Sequence, residues 1–143
     1  MADAPVLEMR HIRKTFPGVV ALDDVDFELR RGEVHILLGE NGAGKSTLMK
    51  ILSGAYQKSA GQIIFDYAEV EIKNPKHAQT LVISTIYQEF NLIPHLSVWE
   101  NIFLGREPKL LPGLIDQREI FQAATRALND LGLNLDPRRL VKE

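Results

Sequence analysis

At 143 residues, with 45% hydrophobic and 25% charged side chains, the sequence has the composition of one globular domain, which excludes wholesale disorder. Seventeen Lys and Arg against nineteen Asp and Glu leave a net charge of −2, so there is no basic surplus to neutralise nucleic-acid phosphates. The lack of cysteine excludes disulfides, thiolate metal sites and a thiol nucleophile. No run approaches the ~18 apolar residues that cross a bilayer. Residues 1–10 lack the basic head and apolar stretch of a signal peptide, so the sequence predicts a soluble, intracellular chain.

Residues 6–16, with Val6, Leu7, Met9 and Ile12 scattered along them, predict a strand, and Pro17-Gly18 a turn. Val25, Phe27 and Leu29 alternate with Asp26, Glu28 and Arg30, the period of a half-buried strand. After a turn at Arg31-Gly32, Val34-His35-Ile36-Leu37-Leu38 is nearly all apolar, as in a central strand covered on both faces, with His35 as a buried neutral imidazole. A glycine-rich loop leads into a helix over 45–52 that stops at Gly54. Residues 61–72 carry two short strand patterns around Asp66-Tyr67. Asn74 followed by Pro75 caps and opens a helix, and residues 81–87 return to strand.

The last third changes period. Ser97-Val98-Trp99-Glu100 matches a capping box, and its helix ends near Gly105. Pro108, Pro112 and Gly113 break the chain. Asp116 with Glu119 opens a further helix that puts Ile120, Phe121, Ala124, Leu128 and Leu131 on one stripe and closes at Gly132. Trp99 and the Ile120, Phe121 and Leu128 stripe read first as core-packing residues and second as contacts for a membrane partner.

The chemistry lies in Gly39-Glu40-Asn41-Gly42-Ala43-Gly44-Lys45-Ser46-Thr47, which fits the P-loop spacing between a predicted strand and a predicted helix. Gly42 and Gly44 permit dihedrals and a close approach that a Cβ forbids. Successive N–H groups and the helix N-terminus then aim at phosphate oxygens. Lys45 sets a point charge against the β- and γ-phosphates, the Ser46 hydroxyl suits Mg²⁺, and Thr47 offers a hydroxyl to the α-phosphate. His11, His35, His77 and His95 show no metal-ligand spacing.

The neighbours of the loop carry a resemblance. From Phe16 through Ala21-Leu22-Asp23-Asp24-Val25 to the loop and Leu48, the sequence resembles an ABC-transporter ATPase. Tyr87-Gln88-Glu89-Phe90-Asn91-Leu92, then Pro94-His95-Leu96-Ser97-Val98 and Glu100-Asn101-Ile102, is similar to that family's Q-loop and the start of its helical subdomain. The Glu40-Asn41 form of the loop and the Tyr87-Gln88-Glu89-Phe90 form of the Q-loop are most like the monosaccharide importers (ribose, galactose or xylose type), whose ATPases usually carry two cassettes in one polypeptide. Residues 5–143 fit the resemblance. It implies an α/β P-loop NTPase core, incomplete, with an antiparallel β-subdomain, the nucleotide-binding part falling in 1–96 and the start of the helical subdomain in 97–143.

The same resemblance implies ATP and Mg²⁺ as ligands and a place on the cytoplasmic face of the cell membrane. Transmembrane permease subunits, a second ATP-binding cassette and, indirectly, a periplasmic or extracellular sugar-binding protein would be partners. It assigns Gly39, Asn41, Gly42, Ala43, Gly44, Lys45, Ser46 and Thr47 to the nucleotide, Ser46 and Gln88 to the metal, and Lys45 and Gln88 to catalysis. Phe16 would stack on adenine; by residue type alone it reads equally as a packing aromatic. Gln88 by itself is an ordinary exposed amide, and Glu89 a solvated carboxylate that the family does not use as its base. The sequence reaches Glu143 about where the signature motif would begin, so the signature, the catalytic glutamate and the switch histidine are not in it. Nucleoside or branched-chain amino-acid importers, and a stand-alone non-hydrolysing nucleotide-binding module, are the rival readings. Two turns depart from the family: Tyr67 and Val82 stand where glycine is usual, and because neither side chain suits a left-handed φ, both turns are expected to be locally altered. Without strands from the rest of the cassette, the P-loop strand is expected to keep exposed edges.

Overall fold

Leu7, Met9 and Ile12 form the buried side of β1 (Leu7–Phe16), and their spacing breaks the two-residue period between Met9 and Ile12. A bulge accounts for the break. Met9 pairs with Phe27 and Ile12 with Val25 on β2 (Val19–Leu29), so β1 carries one extra residue there. That residue includes the left-handed His11, φ 53°. His11 is held by its N–H to the Asp26 carboxylate (2.6 Å) and by Nδ1 to the Asp24 carboxylate (2.7 Å). The Asp24 hydrogen bond, followed by its charge, raises the His11 pKa. The extra residue turns Ile12 back into the core.

The computed structural model describes residues 4–86, 92–111 and 114–142. They divide into two units, Met1–Ile86 and Tyr87–Glu143. In the first, β3 (Ala60–Phe65) pairs antiparallel with β1, and β4 (Ala68–Glu69) with β3, giving the order β2-β1-β3-β4. Against this sheet α1 (Lys45–Leu52) sets Leu48 and Ile51, and α2 (Pro75–Thr80) sets Ala78, around Leu22, Ile63 and Ile72. The Asn74 side chain caps α2 by accepting from the His77 N–H at 2.9 Å. The second unit holds α3 (Val98–Phe103), the antiparallel pair β5 (Lys109–Leu111) and β6 (Leu114–Ile115), and α4 (Gln117–Asp130). The Ser97–Glu100 capping box is formed, and the Ser97 hydroxyl, then its N–H, lowers the Glu100 pKa. The Asn101 amide donates to the carbonyls of Ile93 and Ser97 and accepts from the Ile93 N–H, fastening the entering loop to α3.

Several expectations are corrected. Residues 34–38 form no strand: Val34 is 90%, Ile36 72% and Leu38 84% exposed, and only Leu37 packs on the core. A parallel strand exists only through ladder partners on its flanks, and no described segment supplies them. The same holds for residues 83–86, while Tyr87 lies outside the described residues. His35 is not a buried imidazole. Its side chain is partly exposed beside Phe27, and Nδ1 meets the Glu33 carboxylate at 3.0 Å. The Arg30 N–H first, then His35, lowers the Glu33 pKa. β2 starts six residues before Val25, because the left-handed Asp24 (φ 55°) bends the chain without ending the ladder. On α4, Ile120, Ala124 and Leu128 are buried, whereas Leu131 is the exposed C-cap beyond the last turn.

The two turns expected to be altered are not: Tyr67 and Val82 adopt the left-handed geometry, φ 66° and 61°. At Val82 the N–H donates to the Gln79 carbonyl (2.9 Å) and the Ile83 N–H to the Ala78 carbonyl (3.0 Å), the paired bonds of a Schellman cap. Left-handed φ costs an L side chain about 1–2 kcal/mol, and the exposed Val82 side chain returns little packing. Val82→Gly is therefore expected to stabilise the first unit by about 1 kcal/mol after glycine's larger unfolded-state entropy is subtracted. Thermal unfolding should show a rise of roughly 4–8 °C. A fall would mean that the valine side chain is held by contacts that outweigh its backbone strain.

Candidate functional site

Gly44 is the N-cap of α1, in left-handed geometry (φ 85°, ψ −2°), and it has no side chain with which to cap the helix. The first intrahelical bond runs from the Leu48 N–H to the Gly44 carbonyl at 2.9 Å. The N–H groups of Lys45, Ser46 and Thr47 therefore lack intrahelical acceptors, and the first turn holds no acidic residue. Such a turn presents the positive end of the helix dipole.

The loop ahead of the helix is closed on itself. The Ala43 N–H donates to the Glu40 carbonyl at 3.2 Å, with Gly42 left-handed at φ 89°. Lys45 Nζ donates to the carbonyls of Gly39 (2.5 Å) and Glu40 (2.7 Å), which places the ammonium across the loop. An ammonium has three N–H donors, so one remains for an oxyanion. Gly44 sits against β2: a Cβ there would lie 2.6 Å from Leu22 Cδ2 and 2.7 Å from the Ala21 carbonyl. The Ala21-Leu22 pair thus forms the floor on which the loop turns into the helix.

The Ser46 side chain is exposed and has no hydrogen-bond partner among the described residues, so its lone pairs are open to a cation. No described group of three or more His, Cys, Asp or Glu could hold a metal. A single hydroxyl fits Mg²⁺ that arrives on a nucleotide and takes most of its ligands from phosphates and water. Gln88, the other expected metal residue, lies outside the described residues.

Phe16, the last residue of β1, is 36% exposed. Its ring meets Tyr56 edge-on, centroids 5.3 Å apart at 75°, and Lys14 Nζ lies 4.9 Å from the Phe16 centroid. Lys50 Nζ lies 5.2 Å from the Tyr56 centroid. Sequence reasoning found Phe16 and missed the other three. Lys14 was accessible through the two-residue strand period, but Tyr56 follows α1 at no spacing that ties it to β1.

An uncapped helix start behind a glycine loop that its own lysine spans, docked on an antiparallel sheet, is an arrangement suited to an oxyanion and is found in P-loop nucleotide domains. The ABC transporter family model matches residues 22–143, and the chain belongs to that family. It is 59% identical over 139 residues to the ribose import ATP-binding protein RbsA 1 of Rubrobacter xylanophilus, covering 97% of this chain and 28% of that protein. To the ribose import ATP-binding protein RbsA 2 of Streptomyces coelicolor it is 58% identical, with 96% and 26% covered. The chain thus spans little more than a quarter of the length of these curated relatives. In fold it matches the crystal structure of a nucleotide-free ATP-binding cassette from an ABC transporter at a TM-score of 0.80 and 24% identity, over 98% of this chain and 59% of that one.

Proposed function

We propose that the chain is the nucleotide-binding part of the ATP-binding subunit of a sugar importer, coupling ATP binding and hydrolysis to uptake through membrane permease subunits. The observation that carries this is the open first turn of α1 with Lys45 drawn across its loop. The names of the relatives, ribose import and ribose/galactose/methyl galactoside import proteins at 53–59% identity, support a monosaccharide as cargo. In this reading Gly39, Asn41, Gly42, Ala43 and Gly44 shape the backbone around the phosphates, and Lys45, Ser46 and Thr47 offer N–H groups to them. Ser46 and Gln88 would hold Mg²⁺, which would supply neutralisation of phosphate charge. The Q-loop and helical region face the permease at the cytoplasmic side of the membrane, with a second cassette completing the ATP site. Among the described residues no helix is long and apolar enough to cross a membrane. The test is the complete transporter in vesicles. ATP-dependent uptake of ribose or a related monosaccharide is expected, and uptake of nucleosides or branched-chain amino acids with no response to monosaccharides would overturn the cargo.

Phe16 separates base from phosphate recognition. Stacking of a base on an aromatic is worth ~1–3 kcal/mol, so Phe16→Ala should weaken ATP about five- to hundredfold and leave inorganic tripolyphosphate unaffected. Equal losses for both ligands would make Phe16 a purely structural residue.

The 143-residue polypeptide expressed by itself is expected to show no sustained ATP turnover. Its described residues offer a lysine and a helix start for phosphate and one hydroxyl for a metal, but among them no side chain is placed as a general base, a contribution of about 10²–10⁴ in rate. Phosphate release from monodisperse protein, with Lys45→Ala as the contamination control, measures this. Lys45-dependent release at ~1 s⁻¹ or faster would show that the missing base is not required.

A further inference from the structure

Among the described residues, Tyr56 is the one aromatic that links the end of β1 to the phosphate-loop helix. Its N–H donates to the Lys50 carbonyl at 3.0 Å and its half-buried ring packs on the core of the first unit, so its place is set by α1. Phe16 is set by the other element. It ends β1 next to the Pro17-Gly18 turn, and a partly exposed ring at a strand end has little else to fix its plane. The edge-on contact at 5.3 Å and 75° is a favoured aromatic geometry and supplies that constraint. Lys14, two residues before Phe16 and so on the same face of β1, lies 4.9 Å from the Phe16 centroid and 5.9 Å from that of Tyr56. Lys50 covers the Tyr56 ring from α1, five residues and about 7.5 Å along the helix from Lys45.

We propose that Tyr56 is a positioning residue for the nucleobase: it fixes the Phe16 ring relative to α1, and thereby fixes the distance between base and phosphates. This rests on the reading of Phe16 as the base-stacking ring. The chemistry required of residue 56 is an aromatic edge and face; the hydroxyl plays no part.

Calorimetric titration of the complete protein with ATP and with inorganic tripolyphosphate tests the proposal. Tyr56→Leu should weaken ATP about three- to tenfold, the scale of one aromatic pair, and change tripolyphosphate binding less than twofold. Tyr56→Phe should restore wild-type ATP affinity. In a Phe16→Leu background, Tyr56→Leu should cost no further affinity, because the ring through which it acts is gone. Equal loss of both ligands, or an undiminished loss in the Phe16→Leu background, would overturn the positioning role. If Phe16→Leu weakens ATP and Tyr56→Leu does not, the proposal fails while base stacking stands. If Phe16→Leu leaves ATP binding unchanged, the base-stacking reading itself fails and takes the proposal with it.

Discussion

Lys45→Ala is expected to weaken ATP binding about ten- to hundredfold without unfolding the chain. A charge-assisted hydrogen bond contributes ~1.5–3 kcal/mol, and the ammonium is the single cationic side chain in the stretch from Gly39 to Thr47. It also bridges the Gly39 and Glu40 carbonyls, so its removal frees the loop as well as discharging it. Lys45→Arg is not a conservative control, since a planar fork cannot reproduce a point charge drawn between two carbonyls. Lys45→Met keeps the stem and removes only the charge. Titration with labelled ATP, alongside thermal unfolding, separates the two effects. Unchanged affinity in both Lys45→Ala and Lys45→Met would remove Lys45 from the site.

Gly44→Ala should be the most damaging methyl in the loop. The new Cβ would meet Leu22 Cδ2 at 2.6 Å and the Ala21 carbonyl at 2.7 Å, on a residue already at φ 85°. The leucine can turn aside; the carbonyl is backbone of β2 between the paired Val20 and Leu22, which a side-chain rotation cannot move. Left-handed strain of about 1–2 kcal/mol and overpacking of about 1–3 kcal/mol together predict a loss of roughly 2–5 kcal/mol. Gly42→Ala is the control. It shares the positive φ of 89°, but its Cβ would meet nothing within 4 Å, so only the dihedral cost of about 1–2 kcal/mol applies. Thermal unfolding of both variants compares them directly. Gly44→Ala at or above the stability of Gly42→Ala would show that the approach of the loop to Ala21-Leu22 is not sterically enforced.

Features that depend on neighbours in the chain were legible. The Ser97–Glu100 box, the Asn74 cap and the start and end of α1 each follow from residues within four positions of one another. Their hydrogen bonds are local, so residue type and spacing are enough to specify them. The phosphate loop belongs to the same class, because its glycines, lysine and helix start are contiguous.

Strand pairing was not legible in that way. The apolar run at 34–38 is a good strand sequence, yet pattern conveys propensity and not the presence of a ladder partner, and these residues have none among the described ones. The bulge at His11 escaped for a related reason: it is fixed by Asp24 and Asp26, thirteen and fifteen residues away. Tyr56 meeting Phe16 is a contact between residues forty positions apart. The sequence by itself determined the glycine-rich loop and its lysine, the starts of α1 to α4 and the family, because these are written in contiguous residues. Only the tertiary structure decided which strands exist, where β1 re-registers its buried face, and what holds the exposed Phe16 ring, because each depends on groups that chain folding alone brings together.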